Sequence, residues 1–371
     1  MNEKAIDYRF KILYAVAMLM VLGTHCQMGG MSLTFADWFI YGGVQLALFM
    51  FCSGYFYKES YEQNCFKYIK RKIKRLIVPL YIYNFFYGIL VYLLRHKGFQ
   101  IGGDFTVYNL LIAPINYGHQ FIYNLGGWYI IPLFMVEVYN VLSRKLIKHI
   151  SKNTNEYFFI VLGLIVGVIG NSLAAKGYSS NKWFLVLIRM FYFVPFYELG
   201  IFYKKCLEKY EKNISNTIYF SVIFFIKFII IWTFGKNISF TPVWCNDFTY
   251  GPLMPIIEGC LGIALWLRVA ALLQSIIGKN KIILLIADNT YSIMINQFLG
   301  FMFVKTIYGM LSKWITTFNS FDWIAYKTNI WYYYSPRNIM QDRILYLIAG
   351  IMIPVMIQWF INRVKAYLAH I

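Results

Sequence analysis

Long apolar runs constrain this chain more than any other feature. A helix that crosses a bilayer needs roughly 20 mostly apolar residues, and ten such stretches can be marked, at about 12–29, 36–57, 76–94, 127–143, 157–174, 183–203, 216–234, 251–274, 282–309 and 343–363. In lipid every backbone N–H and C=O must be satisfied inside the spanning element, so runs of this length predict helices. The expected fold is all-α, a polytopic transmembrane helical bundle of about ten spans. No 20–50-residue repeat and no interdomain linker is visible, so residues 1–371 are read as a single integral-membrane domain. The stretch 105–125 holds Pro114, Asn116, Gly118 and His119; it is too interrupted to span and is expected to be re-entrant or interfacial.

Composition removes the alternatives. Only 14% of the residues are charged, against about 25% in soluble proteins, which excludes a cytosolic globular enzyme. A net charge of +19 would suit a nucleic-acid binder, but a basic binding domain is not also 59% hydrophobic, so no nucleic-acid partner is expected. The six cysteines show neither CxxC nor histidine spacing, and neither a disulfide framework nor a metal site is indicated. The opening MNEKAIDYRFK leads into an apolar run without a small-residue cleavage site, which reads as a first span and not as a removed signal peptide.

The basic charge is explained by topology, because Lys and Arg in short loops favour the cytoplasmic side. Alternating the loops from a cytoplasmic N-terminus gathers most of the 35 basic residues on that side. They are Lys4, Arg9 and Lys11, the run from Lys58 to Arg75, Arg144 to Lys152, Lys204 to Lys212, Arg268 to Lys281, and Arg363 and Lys365. Both termini are therefore expected in the cytoplasm. The cluster Lys70, Arg71, Lys72, Lys74 and Arg75 is denser than orientation requires. Its charge suits anionic lipid headgroups, or the phosphates of a nucleotide-containing donor.

Polar residues at membrane depth mark the other candidates. His25 lies near the outer end of the first span, in VLGTHC, where an imidazole must be hydrogen-bonded or face a polar cavity. Histidine is suited to taking a proton from a hydroxyl near neutral pH, yet on position alone an interfacial anchor accounts for it equally well. Gln45, Glu137, Arg189, Glu198, Lys227, Glu258, Asp288, Asn289, Asn296 and Gln297 also fall within spans and together predict a polar interior. Arg189 and Glu198 lie about 13.5 Å apart along a helix at 1.5 Å per residue, so each needs a partner elsewhere. Asp288, Asn289 and Gln297 are expected to form a polar stripe on the ninth span.

In order, VLGTH ending at His25, FMFCSGYFY at 49–57, KIKRLIVP at 72–79, GGWYIIPLF at 126–134, RMFYFVPFYELG at 189–200 and NTYSIMINQF at 289–298 resemble acyltransferase family three. This large family of bacterial integral-membrane acyltransferases includes O-acetyltransferases of surface polysaccharides. The resemblance runs over most of the chain. It implies that His25 is the residue essential for transfer, and that Lys72 and Arg75, with Arg71 beside them, contact an acyl-CoA donor. Two positions depart from the pattern: Tyr14 stands where the family often has a basic residue, with Lys11 about one turn away, and Gln297 stands where it often has a histidine.

The function expected from this resemblance is O-acetyl transfer from cytoplasmic acetyl-CoA to a sugar hydroxyl of a cell-surface or exported polysaccharide or lipid-linked glycan. The setting would be the bacterial cytoplasmic membrane, with His25 as general base and no metal. Because His25 would lie some 20 Å or more from the cytoplasmic mouth of a core about 30 Å thick, the pantetheine arm would have to thread a polar interior. Trp128, Arg189, Gln297, Trp323 and Trp331 are the candidate acceptor-binding residues, the last two in an aromatic-rich external connection over 310–342. Aromatic faces stack on sugar rings, although Trp and Tyr also favour headgroup depth. A flippase for lipid-linked glycans and a catalytically weakened homologue are the rival readings.

Overall fold

The computed structural model describes residues 6–26, 44–151, 154–235, 240–248 and 250–368. Lys4, Lys152, the end of the first expected span and residues 36–43 of the second lie outside them. Among the described residues the regular structure is helical, apart from one isolated bridge between Thr241 and Asn246. Two helices come first, α1 (Tyr8–His25) and α2 (Val44–Tyr55). Beyond these two, and among the described residues, eight helices in all are long and apolar enough to cross a membrane, against ten expected: α3 (Cys65–His96), α4 (Leu125–Ile150), α5 (Glu156–Ala175), α6 (Lys182–Glu211), α7 (Asn216–Phe234), α8 (Met254–Ile277), α9 (Thr290–Leu311) and α10 (Gln341–Leu368). The chain is a multi-pass membrane protein.

The ninth expected span requires correction. Asn289 interrupts it, separating a short helix, Lys281–Asp288, from α9. The Asn289 Nδ2 turns back and donates to Leu285 O at 2.8 Å, competing with continuation of the helix. Asp288 is exposed and Asn289 only partly buried, so of the expected polar stripe Gln297 alone is buried, with Asn296 buried beside it. Helix starts follow their capping residues: Asn155, Asn181 and Ser215 accept from backbone N–H groups at the beginnings of α5, α6 and α7.

The helices gather into two compact units, interleaved along the chain. The first comprises Met1–Ala17, Ser32–Pro79 and Tyr129–Lys279. In it α2 and α6 cross closely enough that a Cβ on Gly54 would lie 2.0 Å from Tyr197 O, and one on Gly200 would lie 2.1 Å from Phe51 O. Further along α6, Gly163, Gly167 and Gly170 of α5 pack on Glu198, Pro195 and Phe191. Without a hydrophobic driving force between helices in lipid, such small-residue contacts allow the dispersion that holds spans together. The buried Arg144 pairs with Glu156 at 2.9 Å and with Glu198 at 2.5 Å, while Asn140 also donates to Glu198. Glu198 thus finds its partners on α4, as its spacing from Arg189 requires, and Arg144 is an internal tie instead of an orienting surface charge.

The second unit comprises Met18–Met31, Leu80–Trp128 and Asn280–Ile371. Here α9 lies against α10 with Gly300 facing Ala349 O and Gly350 facing Phe301. Residues 105–125 form a short π-helix, Tyr108–Ile112, one turn of α-helix, Ala113–Asn116, and turns. Asn84 holds this stretch to α3: its Nδ2 donates to Asn109 O at 3.1 Å and Leu110 O at 2.9 Å, and its Oδ1 accepts from Gln120 and Asn124.

Candidate active site

His25 is the last residue of α1 and, as a residue, is partly buried. Its Nδ1 lies 3.0 Å from Gln297 Oε1. The amide on the other side of that contact has a fixed sense, because Gln297 Nε2 donates to Met294 O at 3.0 Å and a backbone carbonyl can only accept. The amide oxygen therefore faces His25, and Nδ1 must carry the proton. In the neutral ring Nε2 therefore keeps its lone pair, the form needed to remove a proton from a hydroxyl. This is the position where the family often has a histidine; here it carries an acceptor that sets the tautomer.

An aromatic wall surrounds the imidazole. Phe298 lies 5.3 Å from the His25 ring and Trp331 lies 6.0 Å from it, with the Phe298 and Trp331 rings 5.5 Å apart and nearly perpendicular. The turn that carries Trp331 is pinned on both sides. Lys305, buried inside α9, donates to Ile330 O at 2.5 Å, and Tyr333 Oη donates to His25 O at 2.6 Å. The Lys305 ammonium also sits over the Tyr333 ring at 4.5 Å, an electrostatic contact that takes the place of a carboxylate among the interactions described. Trp331 keeps 39% of its surface exposed beside the histidine.

The basic run belongs to the first unit and is placed by a helix that changes pitch. Cys65–Lys72 is α-helical, and Ile73–Ile77 forms a π-helical turn within α3, a feature that is frequent at functional sites. Lys72 is paired with Glu137 of α4, whose side chain is 3% exposed, so this lysine neutralises a buried acid. Arg71 packs over Tyr61 at 5.0 Å and Tyr68 at 5.5 Å, while these two tyrosines stack 4.5 Å apart. Arg71 and Arg75 are exposed, and among the described residues neither is paired with a carboxylate. They are one turn apart on the helix and retain the forks that suit phosphate oxygens.

The remaining candidates fall elsewhere. Arg189 is buried in the first unit, and its guanidinium Nε donates to Val243 O at 2.9 Å, fastening the 240–248 loop. Trp128 is 6% exposed, and its Cα and Cβ lie so close to Gly118, whose φ is +81°, that a side chain at that turn would collide with them. Trp323 has Phe321 and Tyr326 as ring neighbours and Lys313 over its face. Tyr14, at the other departure from the family pattern, packs 5.8 Å from Phe49, with Lys11 half-buried on the preceding turn. Sequence reasoning did not single out Lys305 as a site residue, although a lysine inside an apolar run was the available signal. Tyr333 was expected, with Trp323 and Trp331, to help select the acceptor; its hydrogen bond to the His25 carbonyl is what the sequence did not disclose.

A model of the acyltransferase domain of family three matches residues 7–355, and the chain belongs to that family. It is a membrane acyltransferase. No curated protein and no solved structure matches it.

Proposed function

We propose that the protein transfers an acetyl group from acetyl-CoA to a sugar hydroxyl of an exported or cell-surface glycan at the bacterial cytoplasmic membrane, with His25 as the general base. The observation that carries this reading is the fixed amide of Gln297, which accepts from Nδ1 and so directs the lone pair of the neutral His25 ring to Nε2, with the partly exposed Trp331 beside it. Nε2 takes the proton of the acceptor hydroxyl as its oxygen attacks the thioester carbonyl. The C–S bond then breaks, and the imidazolium returns that proton to the CoA thiolate. Throughout, Nδ1–H to Gln297 Oε1 steadies the developing positive charge. Arg71 and Arg75 are the proposed grip on the donor phosphates, Lys72 supporting them through Glu137. Trp331 is the proposed acceptor platform.

The test uses purified protein, radiolabelled acetyl-CoA and a polysaccharide acceptor. Wild type should move label to the glycan, and His25→Ala or His25→Gln should reduce transfer by about 10²–10⁴-fold, the usual range for a general acid–base group. Substantial transfer by either variant would remove His25 from the chemistry. Trp331→Ala should depress glycan transfer while acetyl-CoA hydrolysis without acceptor persists. Equal loss of both, or no change, would place acceptor selection elsewhere. Glycan translocation without label transfer would favour a flippase over an acetyltransferase.

A further inference from the structure

The basic run is too long for one task, and the helix that carries it separates its charges by face. Tyr68 is 3% exposed and Lys72 engages the buried Glu137; these positions, four apart, turn toward the body of the first unit. On another stripe Phe66 is 78% exposed and Ile73 is 39% exposed, with Ile69 partly exposed between them. Lys67, Lys70 and Lys74 flank that stripe. All three are exposed, and among the described residues none is paired with a carboxylate. A single exposed Phe carries no message. An apolar stripe bordered by lysines at three- and four-residue spacing, at the entrance to a spanning helix, is the pattern of a segment lying in the bilayer interface. There the apolar side chains enter the acyl boundary and the long lysine stems carry their ammonium groups up to the headgroups.

We propose that Phe66, Ile73, Lys67, Lys70 and Lys74 form a ridge that binds anionic phospholipid headgroups, leaving Arg71 and Arg75 on the adjoining face for other phosphates. The ridge is defined without reference to the donor, so it stands or falls independently of the acetyltransferase reading. Its occupant follows from charge: three exposed ammonium groups beside exposed apolar side chains fit a lipid phosphate joined to acyl chains, whereas a soluble nucleotide has no use for Phe66 and Ile73. Each lysine near an anionic surface should contribute about fivefold to binding.

The test is lipid binding by the full-length protein, read by native mass spectrometry after exchange into phosphatidylcholine, titrated with phosphatidylglycerol and separately with acetyl-CoA. Wild type should prefer phosphatidylglycerol over phosphatidylcholine, less so as salt rises. A variant carrying Lys67→Gln, Lys70→Gln and Lys74→Gln should lose that preference by about tenfold or more, with acetyl-CoA affinity unchanged within about twofold. The corresponding triple arginine variant should retain the preference, which separates charge from folding. Unaltered phosphatidylglycerol binding in the glutamine variant overturns the proposal, as does no preference in wild type. Equal loss of lipid and acetyl-CoA binding also overturns it, since all the charges would then serve one site. Absence of acetyl-CoA binding to wild type would count against the donor assignment alone.

Discussion

At the residue scale, the amide of Gln297 and the ammonium of Lys72 each have a role that their identities alone do not disclose. Gln297 accepts from Nδ1 of His25 while its own nitrogen is held by Met294 O. Gln297→Ala should release the ring to sample both tautomers and lower kcat by about tenfold or more, less than loss of the base itself. Gln297→Glu keeps the acceptor toward Nδ1 but loses the donor to Met294 O, so it should recover only part of the activity lost in Gln297→Ala. Wild-type turnover by Gln297→Ala would show that the ring needs no orientation. Lys72 makes a different prediction, because removing one partner of a buried pair leaves an uncompensated charge and typically costs about 3–5 kcal/mol. Lys72→Met should therefore lower the detergent melting temperature markedly, and the double variant with Glu137→Gln should recover much of it. A Lys72→Met protein of normal stability with a raised KM for acetyl-CoA would instead return Lys72 to the donor grip.

At the scale of elements, the motifs that carried the resemblance have packing causes. The glycine of SGY and that of ELG are two points of close backbone approach between α2 and α6, at Tyr197 O and Phe51 O. A Cβ cannot occupy either position without moving a backbone, so Gly54→Ala should destabilise the protein by about 1–3 kcal/mol and Gly54→Val should do more damage. The measurement is the fraction of folded protein recovered from detergent extracts on heating, compared with Gly177→Ala, where no atom lies within 4 Å of the added carbon but φ is +84°. If Gly54→Val were as well behaved as wild type, the helices would not be in the contact described. Helix positions were legible in the apolar runs because lipid demands a fixed length. The break at Asn289 was not, since residues 282–309 stay apolar enough overall to hide a single back-bonding asparagine. His25 was legible as a histidine at membrane depth, whereas Tyr333 and the carbonyl it reaches meet only through the return of a distant loop.

At the scale of the whole molecule, the basic residues should fix orientation, and this can be tested by exposure of chosen positions. Arg144 and Lys72 were counted with the cytoplasmic charge, yet both neutralise buried acids; enough exposed lysines persist near the same helix ends for the same topology to be expected. Lys67 and Lys279 are exposed at ends assigned to the cytoplasm, and Lys176 and Asn319 are exposed at ends assigned outside. In a variant lacking native cysteines, Lys176→Cys and Asn319→Cys should react with a membrane-impermeant maleimide on intact spheroplasts. Lys67→Cys and Lys279→Cys should react only after permeabilisation. Restoring Cys245 should add no signal in either condition, since burial pushes its thiol up to about 12 and its Sγ donates to Pro242 O at 3.3 Å, leaving almost no thiolate at neutral pH. Reversal of the two labelling patterns would invert the topology and move the 310–342 connection to the cytoplasm. Trp331 would then face the wrong side for an exported glycan, and the proposed acceptor would have to be a cytoplasmic one.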